Sequence, residues 1–118
     1  MVNQFKNNAP DAPQSKAGGK THTVRCGAVK IHLTVNTQGN GAVSDLRAKC
    51  TPQEWQGWVN VLLGTANIAL RSNVPLARII DAWMYHRFDP SGGPGQGTSI
   101  PDAIAKKLFL EGYTERTK

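Results

Sequence analysis

The sequence predicts a single α+β domain: a small antiparallel β-sheet packed against two to three α-helices. Three observations carry this. Residues 24–50 alternate apolar and polar side chains with period two around a Gly/Asn-rich break. From Thr51 onward apolar residues recur every three or four positions instead. Strands precede helices without alternating with them, which is an α+β layer order rather than a βαβ one. The chain's 118 residues suit one domain, and 39% hydrophobic residues suffice for one modest core.

Residues 1–21 are polar, with Asn3, Asn7, Asn8, Pro10, Pro13, Gly18 and Gly19 and no hydrophobic period, and are expected to form a flexible arm. The domain proper is expected over residues 22–112. Val29, Ile31, Leu33 and Val35 alternate with Lys30, His32 and Thr34, a half-buried strand. Residues 36–41 (Asn-Thr-Gln-Gly-Asn-Gly) read as a hairpin loop. The return strand should place Ala42, Ser44, Leu46, Ala48 and Cys50 on one face and Val43, Asp45, Arg47 and Lys49 on the other. His32 and Arg47 then sit on the open face, as surface residues unless a second subunit covers it.

Thr51-Pro52-Gln53-Glu54 predicts a helix start, with Thr51 as N-cap and Glu54 closing a capping box. Trp55, Trp58, Val59, Leu62, Ala66 and Ala69 follow at helical spacing, and Val61, Leu63, Ile68 and Leu70 fill much of the opposite side. A helix this apolar is expected to be covered on more than one side, by a core and by a subunit interface. Arg71-Ser72-Asn73 ends it, and Val74-Pro75 opens a second helix burying Leu76, Ile79, Ile80, Trp83 and Met84. Ser99-Ile100-Pro101-Asp102 opens the last, with Ser99 as cap and Asp102 in the reciprocal position. Residues 113–118 are expected to fray.

Composition narrows the function. Fourteen Lys and Arg against eight Asp and Glu give a net charge of +6, which suits anionic partners. The charge is scattered along the chain, and only Lys106 and Lys107 are adjacent, which argues against a nucleic-acid groove. Cys26 and Cys50 are too few for a disulfide framework, and no leader or bilayer-spanning run is present, so a cytoplasmic protein is expected. Cys26, Cys50, His22, His32 and His86 match no zinc-ligand spacing; no metal and no cofactor are expected. No nucleophile–base set or paired carboxylates appear, and His86 with Asp89 lacks a nucleophile to serve. The chain therefore reads as a non-catalytic binding protein.

Candidate binding residues cluster between the second and third helices. Gly92, Gly93, Gly95 and Gly97 run into the start of the last helix, where close-approaching amides and a positive dipole end favour a phosphate. Arg87 supplies a forked cation, Phe88 a ring for a base to stack on, and Thr98 and Ser99 hydroxyls and amides. Each has a structural alternative: Arg87 pairing with Asp81 or Asp89, Phe88 in the core, Thr98 and Ser99 only capping. Arg71 either complements its helix dipole or reaches a pocket from a neighbouring subunit.

The run Thr98-Ser99-Ile100-Pro101-Asp102-Ala103-Ile104-Ala105 resembles the signature of the TSCPD domain, with Ile100 where that family usually carries cysteine. Residues 69–76 (Ala-Leu-Arg-Ser-Asn-Val-Pro-Leu), the Cys26-Gly27 opening and the Arg87–Gly92 turn resemble further segments of it, in the same order. The family is the C-terminal accessory domain of cobalamin-dependent ribonucleotide reductases. Metal binding suggested by cysteines in other members is not implied where those cysteines are absent. Small free-standing members also resemble the Thoeris anti-defence sponges of phages. That resemblance implies a homo-oligomer built from dimers that sequesters a cyclic nucleotide or cyclic ADP-ribose-type signal without degrading it; the residues whose chemistry suits holding it here are Arg71, Arg87, Phe88, Gly92, Gly93, Gly97, Thr98 and Ser99. The other implication is a detached reductase domain that docks on a protein.

Overall fold

The computed structural model describes residues 18–93 and 96–116. Three antiparallel strands, β1 (Gly18–Cys26), β2 (Val29–Thr37) and β3 (Val43–Thr51), form one sheet in the order β1-β2-β3. Helices α1 (Gln56–Arg71), α2 (Leu76–Trp83) and α3 (Ile100–Leu110) follow, with short 3₁₀ turns at Gln53–Trp55 and Tyr113–Arg116. This is the predicted α+β arrangement. The sheet's inner face supplies Val24, Cys26, Ile31, Leu33, Val35, Leu46 and Cys50 to the core, against Val59 and Leu63 of α1, Ile79 and Ile80 of α2, and Ile104 and Leu108 of α3. In α2 the predicted face holds: Leu76, Ile79 and Ile80 are buried, and Trp83 and Met84 pack partly against the core.

Several details differ from expectation, each for a local reason. Residues 18–21, assigned to the arm, are strand: Gly18 to Thr21 pair with Thr37 to Thr34. The remainder of the expected arm, residues 1–17, lies outside the described residues. Residues 113–116 do not simply fray. Tyr113 is buried, and its hydroxyl lies 2.7 Å from Nε2 of the buried His22 in β1. Residues 117–118 are outside the described range.

Val43 is buried, not outward, because the pairing slips beside it. Asn36 faces Asp45 but Thr37 faces Val43, so Ser44 is an extra residue in β3. One inserted residue turns every side chain before it to the opposite face.

The capping box at Thr51 does not form. Thr51 ends β3, and α1 starts at Gln56 without a side-chain cap. What Gln56 does instead explains the shift. Its Nε2 donates to the Ala48 carbonyl and its Oε1 accepts from the Cys50 amide, both at 2.8 Å. One face of α1 further along, Asn67 repeats the pattern: Oδ1 accepts from Leu46 N at 2.8 Å and Nδ2 donates to Leu46 O at 3.0 Å. Two carboxamides thus satisfy the outer edge of β3 as a fourth strand would. A bare edge would leave these backbone groups without partners beneath a helix.

Helix α1 is covered on one side only. Val59, Leu63, Ala66 and Asn67 are buried, while Trp58, Val61 and Ile68 stand exposed. The helix ends in Asn73 at φ 68°, a left-handed position Asn tolerates better than most residues.

Replacing Asn67 with leucine keeps the branched side-chain shape and removes both bonds. Each buried group left unmatched costs about 1–3 kcal/mol. The expected outcome is a lower urea midpoint with an unchanged m-value, measured by circular dichroism.

Candidate functional site

The loop from Tyr85 to Ser99 is held to the body by internal bonds, and a buried carboxylate is their centre. Asp102, three residues after the Ser99 cap, has no solvent exposure. Its Oδ1 accepts from the Tyr85 amide at 2.6 Å and its Oδ2 from the Thr98 amide at 2.8 Å. Lys106, one turn on, places Nζ 2.9 Å from Oδ2. Burial alone would raise this carboxyl; the two amides and the lysine outweigh it and hold it below the usual aspartate value. Tyr85 itself sits at φ 68°, a conformation costly for a tyrosine that its bond to Asp102 helps to hold.

Most of the sequence-predicted site residues are absorbed into this framework. Thr98 Oγ1 donates to the His86 carbonyl at 2.7 Å, with Asp102 Oδ2 at 3.2 Å. Ser99 caps α3 as predicted, its Oγ accepting from the Asp102 amide at 3.3 Å, and is fully buried. The Gly92 amide donates to the Gly97 carbonyl at 2.8 Å. A side chain at Gly97 would run into the Ala103 backbone, so this glycine serves the close approach of the loop to α3. Gly93 is exposed, its carbonyl accepting from the Gln96 amide; Gly95 lies outside the described residues. Asp102 departs from the reciprocal cap position: it bonds Thr98 and Tyr85. At the start of α3 the Ser99 hydroxyl takes the Asp102 amide, while the Asp102 carboxylate takes the Thr98 amide before the helix and the Tyr85 amide across the loop.

The same loop is pinned to the β1–β2 turn. Gln96 Oε1 accepts from the Gly27 amide at 2.8 Å, and the Cys26 thiol donates to the Pro90 carbonyl at 3.0 Å. Burial, then the Asp102 charge, push the Cys26 thiol up, and burial pushes Cys50 up. Both cysteines are free. They lie on β1 and β3 with β2 between them, two strand spacings or about 10 Å apart, beyond disulfide reach.

Arg87 and Phe88 remain open to solvent. Arg87 forms no ion pair among the described residues, neither with Asp81 nor with Asp89. Phe88 is 42% exposed, so it is not core, and its ring meets Trp58 edge-on with centroids 6.2 Å apart. Arg71 is not with them. It ends α1 beside β3, 3.8 Å from Asp45 Oδ1.

Trp58 links this pair to a groove between α1 and α2. The groove encloses about 660 Å³ and is walled by Val61, Leu62, Ala69, Val74, Ile79 and Trp83, with Arg78 at its border. Periodicity alone did not separate this surface from the core, since both use apolar residues at helical spacing.

A family model of the TSCPD domain matches residues 4–111. The chain belongs to the TSCPD domain family. No curated protein and no solved structure matches it. The TSCPD match begins inside the stretch expected to be an arm. Its signature run, Thr98 to Asp102, is the segment that builds the internal anchor just described, and Ile100 within it is fully buried. Among the described residues of this TSCPD domain, no three His, Cys, Asp or Glu side chains are grouped to hold a metal ion, and no helix is long and apolar enough to cross a membrane.

Asparagine at position 102 turns one acceptor into a donor facing a backbone N–H and strands Lys106. The expected loss is about 3 kcal/mol at neutral pH, by chemical denaturation. The wild-type carboxyl titrates lower when folded than when unfolded. Its contribution is therefore complete above the ordinary value of 3.8 and is lost as pH falls through the lower folded value. The gap between wild type and Asp102→Asn should close over that acid range.

Proposed function

We propose that this TSCPD domain is a non-catalytic docking module. The observation that carries this is the α1–α2 groove: an open, mainly apolar trough with two tryptophans and one arginine at its walls, on a domain whose polar loop groups are bonded internally. Such a trough suits an apolar helix or chain segment of another protein. The family resemblance supplies the partner class, the catalytic chain of a cobalamin-dependent ribonucleotide reductase, which this domain would accompany as a detached accessory unit.

Val61 is 71% exposed, so it can be changed without touching the core. Val61→Asp is expected to weaken binding to a purified reductase catalytic chain at least tenfold, about 1.4 kcal/mol, with an unchanged melting temperature. Absence of any complex between the wild-type domain and that chain, by biolayer interferometry, would sink the docking reading.

A second reading rests on a different observation, the solvent-facing Arg87 beside the half-exposed Phe88. This pair supports capture of a cyclic nucleotide or cyclic ADP-ribose-type signal, in a homo-oligomer that mates through the exposed side of α1, as the sponge resemblance implies. Phe88 stacks on the base and Arg87 holds phosphate; the buried Ser99 and Gly97 act only as support. Removing a stacking ring costs about 1–3 kcal/mol. Phe88→Ala and Arg87→Ala should thus lose most affinity in calorimetric titration against those ligands, which are recovered intact. Equal binding by both variants would rule this site out.

A further inference from the structure

Cations scattered through the sequence converge on the outward face of the sheet. Strand register sets Arg25 opposite Lys30, His32 opposite Lys49, and Thr34 opposite Arg47. Thr21 and Thr23 continue the same face, opposite Thr34 and His32. Of these pairs Arg25–Lys30 joins two like charges, and side chains opposed in this way stand about 5 Å apart, where they repel. Among the described residues, Asp45 is the carboxylate on this face, and it is already engaged by Arg47 at 2.8 Å and Arg71 at 3.8 Å. Arg25, Lys30 and Lys49 form no ion pair among the described residues. Among the described residues, the acids therefore leave most of this charge uncompensated, and an external anion would relieve it.

The face is also concave where the charge is densest. Beside β3 it borders a cleft of about 740 Å³, with Arg47, Lys49 and His32 on the sheet side and Asn60 and Gly64 on α1. Nothing lies within 4 Å of where a side chain at Gly64 would begin, so the helix wall is open. Asn60 Oδ1 accepts from Gln56, which leaves its NH2 group as a donor. Thr21 and Thr34 bring hydroxyls, 2.9 Å apart. Among the described residues of the lining, the charged groups are Arg47 and Lys49, which suit a phosphate. The volume suits a molecule of nucleotide size.

We propose that this cleft is a phosphate-binding site for a small phosphate ester or polyphosphate. Lys49 and Arg47 hold the charge, Asn60 and one of the two mutually bonded threonine hydroxyls donate hydrogen bonds, and Arg25 and Lys30 draw the anion in from the sheet's margin. The site uses neither the α1–α2 groove nor Arg87 and Phe88, so it stands or falls apart from both readings above.

The test is a titration of the full chain with inorganic triphosphate, followed by amide NMR. Shift changes at Thr34, Arg47, Lys49 and Asn60, weakened at least tenfold by Lys49→Gln but not by Arg87→Gln, would bear the proposal out. Lys49 is exposed and without an ion pair, so the variant should melt with wild type. Changes confined to other residues, no changes at all, or equal loss in both variants would overturn it. A single-stranded oligonucleotide that binds this face more tightly than triphosphate, with a salt slope of several phosphates, would overturn it too, in favour of a nucleic-acid surface.

Discussion

The arrangement of this domain depends on one buried carboxylate. A charge out of water is costly unless it is bonded and paired. Asp102 meets both conditions, with two backbone amides and one ammonium around it. Those partners come from three places: the turn after α2, the end of the long loop, and α3 itself. The carboxylate therefore does more than cap a helix. It sets where α2 stops, where α3 begins, and how the intervening loop lies against the β1–β2 turn. The left-handed Tyr85 and the tight approach at Gly97 are both positions that need such a fixed reference.

This anchor also explains why the loop invites an anion-site reading. Its glycines, hydroxyls and helix start are the right parts for holding a negative charge. One charge among them belongs to the protein: the Thr98 amide and hydroxyl face Asp102. Sequence shows the donors but not whether the acceptor is internal, since Asp102 is four residues from Thr98 but seventeen from Tyr85. Elsewhere the local signals were sufficient: period two in β2, the apolar stripe of α2 and the Ser99 cap are short-range patterns. What was not legible depends on pairing between distant residues. The extra residue at Ser44 reverses Val43, and the edge-binding roles of Gln56 and Asn67 carry no local signature. The charge on the sheet face follows the same rule. Arg25, Lys30, His32, Arg47 and Lys49 are isolated along the chain and become neighbours only through register.

Helix α1 divides the surfaces. Its inner side closes the core and the β3 edge. One flank, with Trp58, Val61, Leu62 and Ala69, forms a wall of the apolar groove. The other, with Asn60 and Gly64, forms a wall of the cationic cleft. An apolar trough and a charged one share a single helix without sharing a lining residue, which separates a surface suited to protein from one suited to phosphate by the width of that helix.

The carboxamide pair on β3 has a consequence for assembly. Ordered stacking of sheets into a filament requires two open edges on every subunit, one to receive and one to offer. Gln56 and Asn67 consume hydrogen-bonding groups along one of them from within the same chain. Strand addition is therefore blocked on that side of the sheet at the groups they occupy.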